Sequence, residues 1–306
     1  MTRAAHRAVV FAYHNVGVRC LKVLLAHGLD VALVVTHADN PAEQIWFASV
    51  ADTAACYGIP VITPDDANAT EVVAQVAALK PDFLFSFYYR QMLKAPLLAA
   101  AARGAYNMHG SLLPKYRGRV PVNWAVLHGE RETGATLHAM VEKPDAGAIV
   151  AQQAVPILPD DTAREVFDKV TLAAEMALDG VLPQLVAGNA PHRAPDLAAG
   201  SYFGGRKPED GRIDWTRPAA EVHNLVRAVA PPYPGAFCDT AKGMLRVLRT
   251  LPAPDHISAG PPKLFAAAGS LYASCGDGRV LRLLAAELDG AALSADVLGT
   301  DSILLS

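Results

Sequence analysis

The chain has 306 residues, 52% of them hydrophobic, and a formal net charge of −3 at pH 7. That length predicts two domains, or one large domain with an appendage, and the apolar content is enough for a sizeable core. A nearly balanced charge gives no support for binding a polyanion such as nucleic acid as the main function.

Cysteine usage and apolar run lengths bear on the compartment. Cys20, Cys56, Cys238 and Cys275 are scattered and form no C-x-x-C pair, which indicates reduced thiols and not a disulfide framework. The first apolar run is too short for a signal peptide, and no stretch reaches the roughly 18 uninterrupted apolar residues of a membrane span. We therefore expect a cytoplasmic protein without membrane insertion.

The first half alternates short apolar runs with segments of helical periodicity. Continuous apolar runs joined by helices are typical of a parallel sheet covered on both faces, so the pattern predicts a doubly wound α/β domain with a mostly parallel sheet. The predicted strands are 9–13, 31–36, 59–63 and 83–87, with further extended stretches at 104–109, 134–141 and 148–157. The predicted helices are 18–26, 45–57, 71–79, 93–102, 121–128 and 162–185.

Pro, Ala and Gly are concentrated in residues 188–200, which is typical of a linker. The predicted organisation is therefore a first domain at 1–188, a linker at 189–204 and a C-terminal domain at 205–306. In the C-terminal domain, a helix at 219–229 begins after Pro218, which we place in its first turn. Short strands with turn signals such as Gly276-Asp277-Gly278 follow and indicate a small β-barrel.

The turn after the first strand argues against a dinucleotide. It reads Tyr13-His14-Asn15-Val16-Gly17 and lacks the G-x-G-x-x-G pattern that lets a backbone approach a pyrophosphate. NAD is therefore not expected. Ligands of open α/β sheets bind at the carboxyl ends of the strands, which directs attention to the segments after Phe87 and Tyr106.

Three side chains suit acyl transfer. Asn107 and His109 are two residues apart at a predicted strand end, so they share a face; an amide can stabilise an oxyanion and an imidazole can exchange a proton. Asp145 precedes Ala-Gly in a turn, from which it can orient a histidine, favour the imidazolium and raise the pKa of His109. Taken singly, each residue also fits a structural role, such as a surface histidine or a turn residue.

The run from Asn107 to Gly118, N-x-H-x-S-L-L-P-x-Y-R-G, strongly resembles the signature of the 10-formyltetrahydrofolate-dependent formyltransferases. That family includes methionyl-tRNA, glycinamide ribonucleotide and sugar N-formyltransferases. The resemblance implies that Asn107, His109 and Asp145 are catalytic, that the C-terminal domain is OB-like, and that 10-formyltetrahydrofolate is the co-substrate, with no metal. The residues it implies for folate binding are Gln91, Met92, Leu93, Arg119, Val141, Glu142, Lys143, Pro144 and Asp145.

Other segments, including 11–14, 85–90, 223–230 and 234–237, are similar to one branch of that family. Its members formylate UDP-4-amino-4-deoxy-L-arabinose in the lipid A modification of lipopolysaccharide, as one domain of a bifunctional enzyme. The similarity runs from Val9 to about residue 290. This chain ends at Ser306 without the dehydrogenase and decarboxylase domain, which leaves other small sugar amines open as acceptors and a separate chain for the missing step.

Charge helps to compare the acceptors. Between Lys22 and Lys80 there is no Lys or Arg but there are seven acidic residues, whereas tRNA binding neutralises phosphates with basic side chains. A nucleotide-sugar is therefore favoured over methionyl-tRNA, with Arg206, Lys207 and Arg227 as basic residues that a diphosphate could meet. A different nucleotide-linked amino sugar, hydrolysis of formyl-folate, and a non-catalytic sensor of folate or nucleotide-sugar are left open. A homo-oligomer is also left open.

Overall fold

The computed structural model describes residues 6–41 and 43–305. The chain divides into two compact units. The first contains the residues up to Pro121 together with 133–155 and 168–203, and the second contains 122–132, 156–167 and the residues from Gly204 onward. The boundaries predicted from the sequence, 1–188, 189–204 and 205–306, remain a prediction about folding units.

The first unit is built on a seven-stranded sheet. Its strands are β1 (Arg7–Ala12), β2 (Asp30–Val35), β3 (Val61–Ile62), β4 (Phe83–Phe87), β5 (Ala105–His109), β7 (Glu132–Ala139) and β8 (Ile149–Pro156), in the order β3-β2-β1-β4-β5-β7-β8. The first five pair in parallel, and β7 runs antiparallel to β5. Every residue of β4 is buried, as expected for a sheet covered on both faces. The predicted α/β class is confirmed.

A separate ribbon of two short parallel strands joins distant parts of this unit. It consists of β6 (Arg117–Gly118) and β9 (Tyr202–Phe203). Neither strand is predicted, because two residues are too few to show a periodic pattern. The ribbon lies next to the candidate site.

Helices lie between or follow these strands along the chain. They are α1 (His14–Ala26), α2 (Val50–Cys56), α3 (Thr70–Ala78), α4 (Ala95–Leu98), α5 (Pro121–Leu127) and α6 (Ala163–Ala187). Among the described residues, these helices belong to the first unit, except for α5 after Pro121 and the start of α6, which fall in the second. Helix α2 begins five residues later than predicted. Ser49 caps its first turn by accepting a hydrogen bond from the Asp52 N–H, and the Trp46 and Phe47 rings pack against His14 instead of continuing a helix.

Helix α6 is long and apolar enough, by length and composition, to cross a membrane. Half of its most apolar stretch is buried inside the fold. Its side chains alternate between buried positions such as Val170 and Leu178 and exposed positions such as Asp168 and Asp179. This pattern is that of a core helix with one solvent face.

The second unit contains an antiparallel sheet. Its strands are β10 (Ala236–Thr240), β11 (Gly243–Ile257), β12 (Lys263–Ala267), β13 (Ser270–Ser274), β14 (Arg279–Leu288), β15 (Ala291–Ala292) and β16 (Ser302–Leu304), in the order β10-β11-β14-β13-β12-β16 with β15 beside β14. The sheet curls into a half-barrel consistent with the predicted OB-like domain.

The core of the second unit is formed between this sheet and helix α7 (Ala219–Val229), whose bounds match the predicted ones. A short helix α8 (Ala295–Leu298) follows near the end of the chain. The fully buried Trp215 donates its indole N–H to the Cys238 sulfur at 3.1 Å. Pro218 lies at the cap that precedes α7 and not in its first turn as predicted.

Candidate active site

The carboxyl end of β5 carries two of the predicted residues. In the sheet, Asn107 lies opposite His138 of β7, and His109 lies opposite Thr136. On its other side β5 pairs with β4. Because side chains alternate along a strand, Asn107 and His109 face the same way, as the sequence spacing predicts.

Three predicted side chains meet in one buried cluster. The Asp145 carboxylate lies 3.6 Å from His109 Nδ1 and 3.6 Å from His138 Nε2, and Asn107 Nδ2 lies 3.1 Å from the same His138 nitrogen. The exposed fractions of the side chains are only 8% for His109, 3% for His138 and 14% for Asp145. The structure therefore brings the predicted residues together around a fourth, His138. Their catalytic roles remain a prediction.

His138 is the residue that the sequence analysis misses. It lies on a predicted strand, but its position opposite Asn107 depends on the pairing register of β5 and β7, which local patterns do not reveal. His138 Nδ1 lies 2.9 Å from the Ala139 carbonyl oxygen and donates to it, so Nε2 of the neutral ring accepts from Asn107. One amide hydrogen of Asn107 is thereby fixed in direction.

Strand β6 connects the cluster to the rest of the unit through its backbone. On one edge, His109 Nε2 lies 2.7 Å from the Tyr116 carbonyl oxygen, and the Gly118 N–H donates to Asp145 Oδ2 at 2.9 Å. On the other edge, the backbone N–H of Arg117 donates to the Ser201 carbonyl, and the backbone N–H of Arg119 donates to the Phe203 carbonyl. Alternate peptide groups of an extended segment point to opposite sides. Strand β6 together with Tyr116, the residue before it, therefore pairs with β9 on one edge and holds two candidate catalytic side chains on the other.

Two glycines are required by the close approach of backbones at the cluster. Gly118 has φ +97°, and a β-carbon there would overlap the carbonyl oxygen of Phe203. A β-carbon on Gly147 would overlap the carbonyl oxygen of Ala139, which explains the glycine two residues after Asp145. Asp145 has φ 49°, the left-handed region that Asp tolerates better than most residues.

Buried hydroxyl groups fix the segment between β5 and β6. Ser111 Oγ donates to the Lys115 carbonyl at 2.6 Å, and Thr136 Oγ1 donates to the Ser111 carbonyl at 2.6 Å. The Leu113 N–H in turn donates to Thr136 Oγ1 at 3.1 Å. These bonds tie the segment to β7 and so determine where the Tyr116 carbonyl meets His109.

The protonation of His109 is determined by its hydrogen-bond partner and by two opposing effects on its pKa. The Tyr116 carbonyl can only accept, so Nε2 of His109 carries hydrogen and any further proton must bind Nδ1, beside Asp145. Burial lowers the pKa of His109 below its ordinary value of 6.5, while the Asp145 charge and the Tyr116 carbonyl raise it by less. The Asp145 charge thus raises the pKa as expected, but the net shift is downward because desolvation of the imidazolium outweighs the carboxylate.

Asp145 is held ionised. Burial by itself would raise the pKa of its carboxyl group, but positive charge on a protonated His109 and the Gly118 N–H that donates to the carboxylate hold the pKa well below the ordinary value of 3.8. A buried carboxylate with these partners stays charged at neutral pH. It can therefore stabilise positive charge on either histidine.

The residues predicted to bind folate have varied positions. Both ends of the Gln91 amide contact a neighbouring loop, because Oε1 accepts from Ala67 N–H and Nε2 donates to the Asp65 carbonyl. Met92 is 55% exposed, whereas Leu93 is 4% exposed and belongs to the core. The Met92 side chain is therefore accessible to a ligand, whereas the Leu93 side chain is not.

The remaining predicted contacts surround Asp145. Val141, Glu142, Lys143 and Arg119 are exposed, and Pro144 is half-buried. Their role in binding folate stays a prediction. In residues 6–41 and 43–305, no group of three or more His, Cys, Asp or Glu side chains is placed to hold a metal ion.

Comparison with known proteins identifies the family. A profile described as formyl transferase matches residues 9–182, and one for the formyl transferase C-terminal domain matches residues 206–298. The chain belongs to the formyl transferase family. It is thus an enzyme of formyl transfer, and its fold is the formyltransferase fold.

Solved structures share the fold of this formyltransferase. An N-formyltransferase from Helicobacter canadensis, in complex with folinic acid and dTDP-3-aminofucose, is 20% identical with a TM-score of 0.71, covering 91% of this chain and 98% of that one. WlaRD, a sugar 3N-formyltransferase with dTDP and 5-N-formyl-THF, is 20% identical with a TM-score of 0.72 and coverages of 92% and 98%. HypX from Aquifex aeolicus with tetrahydrofolic acid is 17% identical with a TM-score of 0.65, but only 47% of that chain is covered.

The Gly118→Ala variant tests the role of β6. A β-carbon would push β6 away from β9 and move the Gly118 N–H from Asp145. We expect the formyl-transfer rate to fall by about 10²-fold, as for a small misplacement of catalytic groups, with a native circular dichroism spectrum. The control is Gly180→Ala on the exposed face of α6, where a β-carbon meets nothing within 4 Å. Full activity of Gly118→Ala would contradict the assignment.

Proposed function

We propose that this formyltransferase moves the formyl group of 10-formyltetrahydrofolate to the 4-amine of UDP-4-amino-4-deoxy-L-arabinose, in the cytoplasm and in lipid A modification. The observation that supports it most is the buried cluster of Asn107, His109, His138 and Asp145 at the carboxyl end of β5. The Helicobacter and WlaRD proteins with nucleotide-linked ligands give further support for this class of acceptor.

The reaction needs an oxyanion stabiliser. The neutral acceptor amine attacks the formyl carbon, and the carbonyl oxygen becomes negatively charged. Asn107 donates one amide hydrogen to His138, and the second hydrogen is directed at the oxyanion in this proposal. His138 thus acts as a positioning residue, since it fixes the amide in one orientation.

A proton must also move from the attacking nitrogen to the leaving folate nitrogen. His109 is the group for this transfer, because burial keeps its ring neutral and Nδ1 is its only vacant nitrogen. It accepts the amine proton at Nδ1, is stabilised as imidazolium by Asp145, and returns the proton to N10 of the folate as the C–N bond breaks. In the net reaction the acceptor amine loses one hydrogen and gains the formyl group, and N10 of the folate loses the formyl group and gains that hydrogen.

Charge near the first strands favours a nucleotide-sugar over tRNA. The cation of Arg90 is neutralised by a bidentate pair with Glu43, at 2.8 and 2.9 Å. There is no Lys or Arg between Lys22 and Lys80, so that part of the chain has no basic side chains to neutralise the phosphate backbone of a tRNA. An acceptor with another nucleotide or another amino sugar is the second candidate, because the Helicobacter protein is in complex with dTDP-3-aminofucose.

The acceptor is tested by offering 10-formyltetrahydrofolate with one of three amines: UDP-4-amino-4-deoxy-L-arabinose, a dTDP-amino sugar, or initiator methionyl-tRNA. We expect the highest kcat/KM with the UDP-sugar and a formylated amine as the product, measured by mass spectrometry. Formylation of the tRNA alone would overturn the proposal. Release of formate without amine formylation would indicate a hydrolase, and binding without turnover would indicate a sensor.

The chemical roles are tested by His109→Ala, Asn107→Ala and Asp145→Ala. Loss of a positioned acid–base group or an oxyanion donor costs about 10²–10³-fold, so each variant should lose at least about two orders of magnitude in kcat. The control is His192→Ala, an exposed histidine of the same unit. Near-normal turnover in His109→Ala would remove the histidine from the mechanism.

A further inference from the structure

The segment that holds the candidate catalytic groups carries three positive charges. Lys115, Arg117 and Arg119 alternate with Tyr116 and Gly118, whose backbone contacts His109 and Asp145. Among the residues that the structure describes, none of these three cations forms a side-chain ion pair. A concentrated charge beside a reaction centre favours an anionic substrate.

Arg117 is the most constrained of the three. It is half-buried, and its Nε is shielded from solvent but has no hydrogen-bond partner among the described residues. A buried donor without an acceptor is costly, and such a group in a native structure calls for an explanation. Because a guanidinium presents several donors in a fixed fork that matches phosphate oxygens, a bound phosphate would supply the missing acceptor.

An exposed aromatic ring lies beside Arg117. Tyr202 pairs with Arg117 in the register of β6 and β9, so the two side chains lie on the same face of the ribbon. Tyr202 is 58% exposed, and its ring leans over Gly118, where a β-carbon would lie 3.2 Å from its Cζ. An exposed ring next to an unbalanced cation offers a stacking surface for a base and a partner for phosphate.

The other basic candidates are already occupied. Arg206 stacks over Trp124 at 4.8 Å and donates to the Asp210 carbonyl at 2.8 Å. Arg227 is buried and donates to Asn224 Oδ1 at 2.9 Å. Neither guanidinium therefore shows the combination of charge and a buried donor without a described partner that Arg117 shows.

We infer that Arg117 binds the diphosphate of a nucleoside diphosphate acceptor and that Tyr202 packs against its nucleoside. This inference rests on the proposed function. The diphosphate and the 4-amine are attached at opposite ends of one sugar ring, so a residue that holds the diphosphate must lie close to the groups that receive the amine. Arg117 satisfies this condition, since it stands between the two residues that contact His109 and Asp145.

The test compares Arg117→Met and Tyr202→Leu with the wild type, using the UDP-amino sugar as substrate and UDP and uridine as inhibitors. For Arg117→Met we expect the KM for the UDP-sugar and the inhibition constant of UDP to rise about 10- to 100-fold, the size of a charged hydrogen bond. Inhibition by uridine and the KM for the formyl-folate co-substrate should not change. For Tyr202→Leu, inhibition by UDP and by uridine should weaken together.

The control is Arg282→Met on β14, an exposed arginine with no ion pair among the described residues, which should leave all constants unchanged. Arg117→Lys keeps the charge but lacks the forked donors of a guanidinium, so its KM for the UDP-sugar and its inhibition constant for UDP should lie between those of the wild type and Arg117→Met. It also serves as the test if the methionine variant does not fold. An unchanged KM for the UDP-sugar in both Arg117 variants would overturn the inference while leaving the proposed function intact. A rise in the folate KM alone would assign Arg117 to the folate carboxylates. A wild type that neither binds UDP nor formylates nucleotide-sugars would overturn both proposals.

Discussion

The backbone around β6 forms hydrogen bonds on both of its edges. On one edge the Arg117 and Arg119 N–H groups donate to the Ser201 and Phe203 carbonyls, and on the other the Tyr116 carbonyl lies against His109 and the Gly118 N–H donates to Asp145. The two side chains come from distant points of the chain, yet both are held by the backbone of residues 116–118, of which β6 forms the last two. This arrangement explains why Gly118 must lack a side chain, and it makes the geometry of the cluster sensitive to β9, which lies far away in sequence.

Burial and charge act in opposite directions in this cluster. Desolvation favours a neutral His109, whereas the Asp145 carboxylate favours the imidazolium, and desolvation is the larger effect. The ring is therefore neutral before the reaction, with its partner charge already in place. A group in this state can accept a proton at Nδ1, and the imidazolium that forms is stabilised by the Asp145 carboxylate.

Local patterns in the sequence are sufficient for most of the fold and part of the site. Apolar runs locate β1, β2 and β4, and the spacing of Asn107 and His109 places both on one strand face. Pairings between distant residues are not visible in this way. The ribbon of β6 and β9 is too short to have a period, His138 enters only through the register of β5 and β7, and the net pKa of His109 depends on burial that only the folded chain creates.

The central claim concerns the hydrogen positions on His109, and NMR of isotope-labelled histidine measures them directly. The His109 resonances are assigned by their loss in His109→Gln. We expect the ring to carry hydrogen on Nε2 at neutral pH, to have a pKa below 6.5 because it is buried, and to have a still lower pKa in Asp145→Asn. A ring with hydrogen on Nδ1 alone, or a pKa above 6.5, would contradict the account.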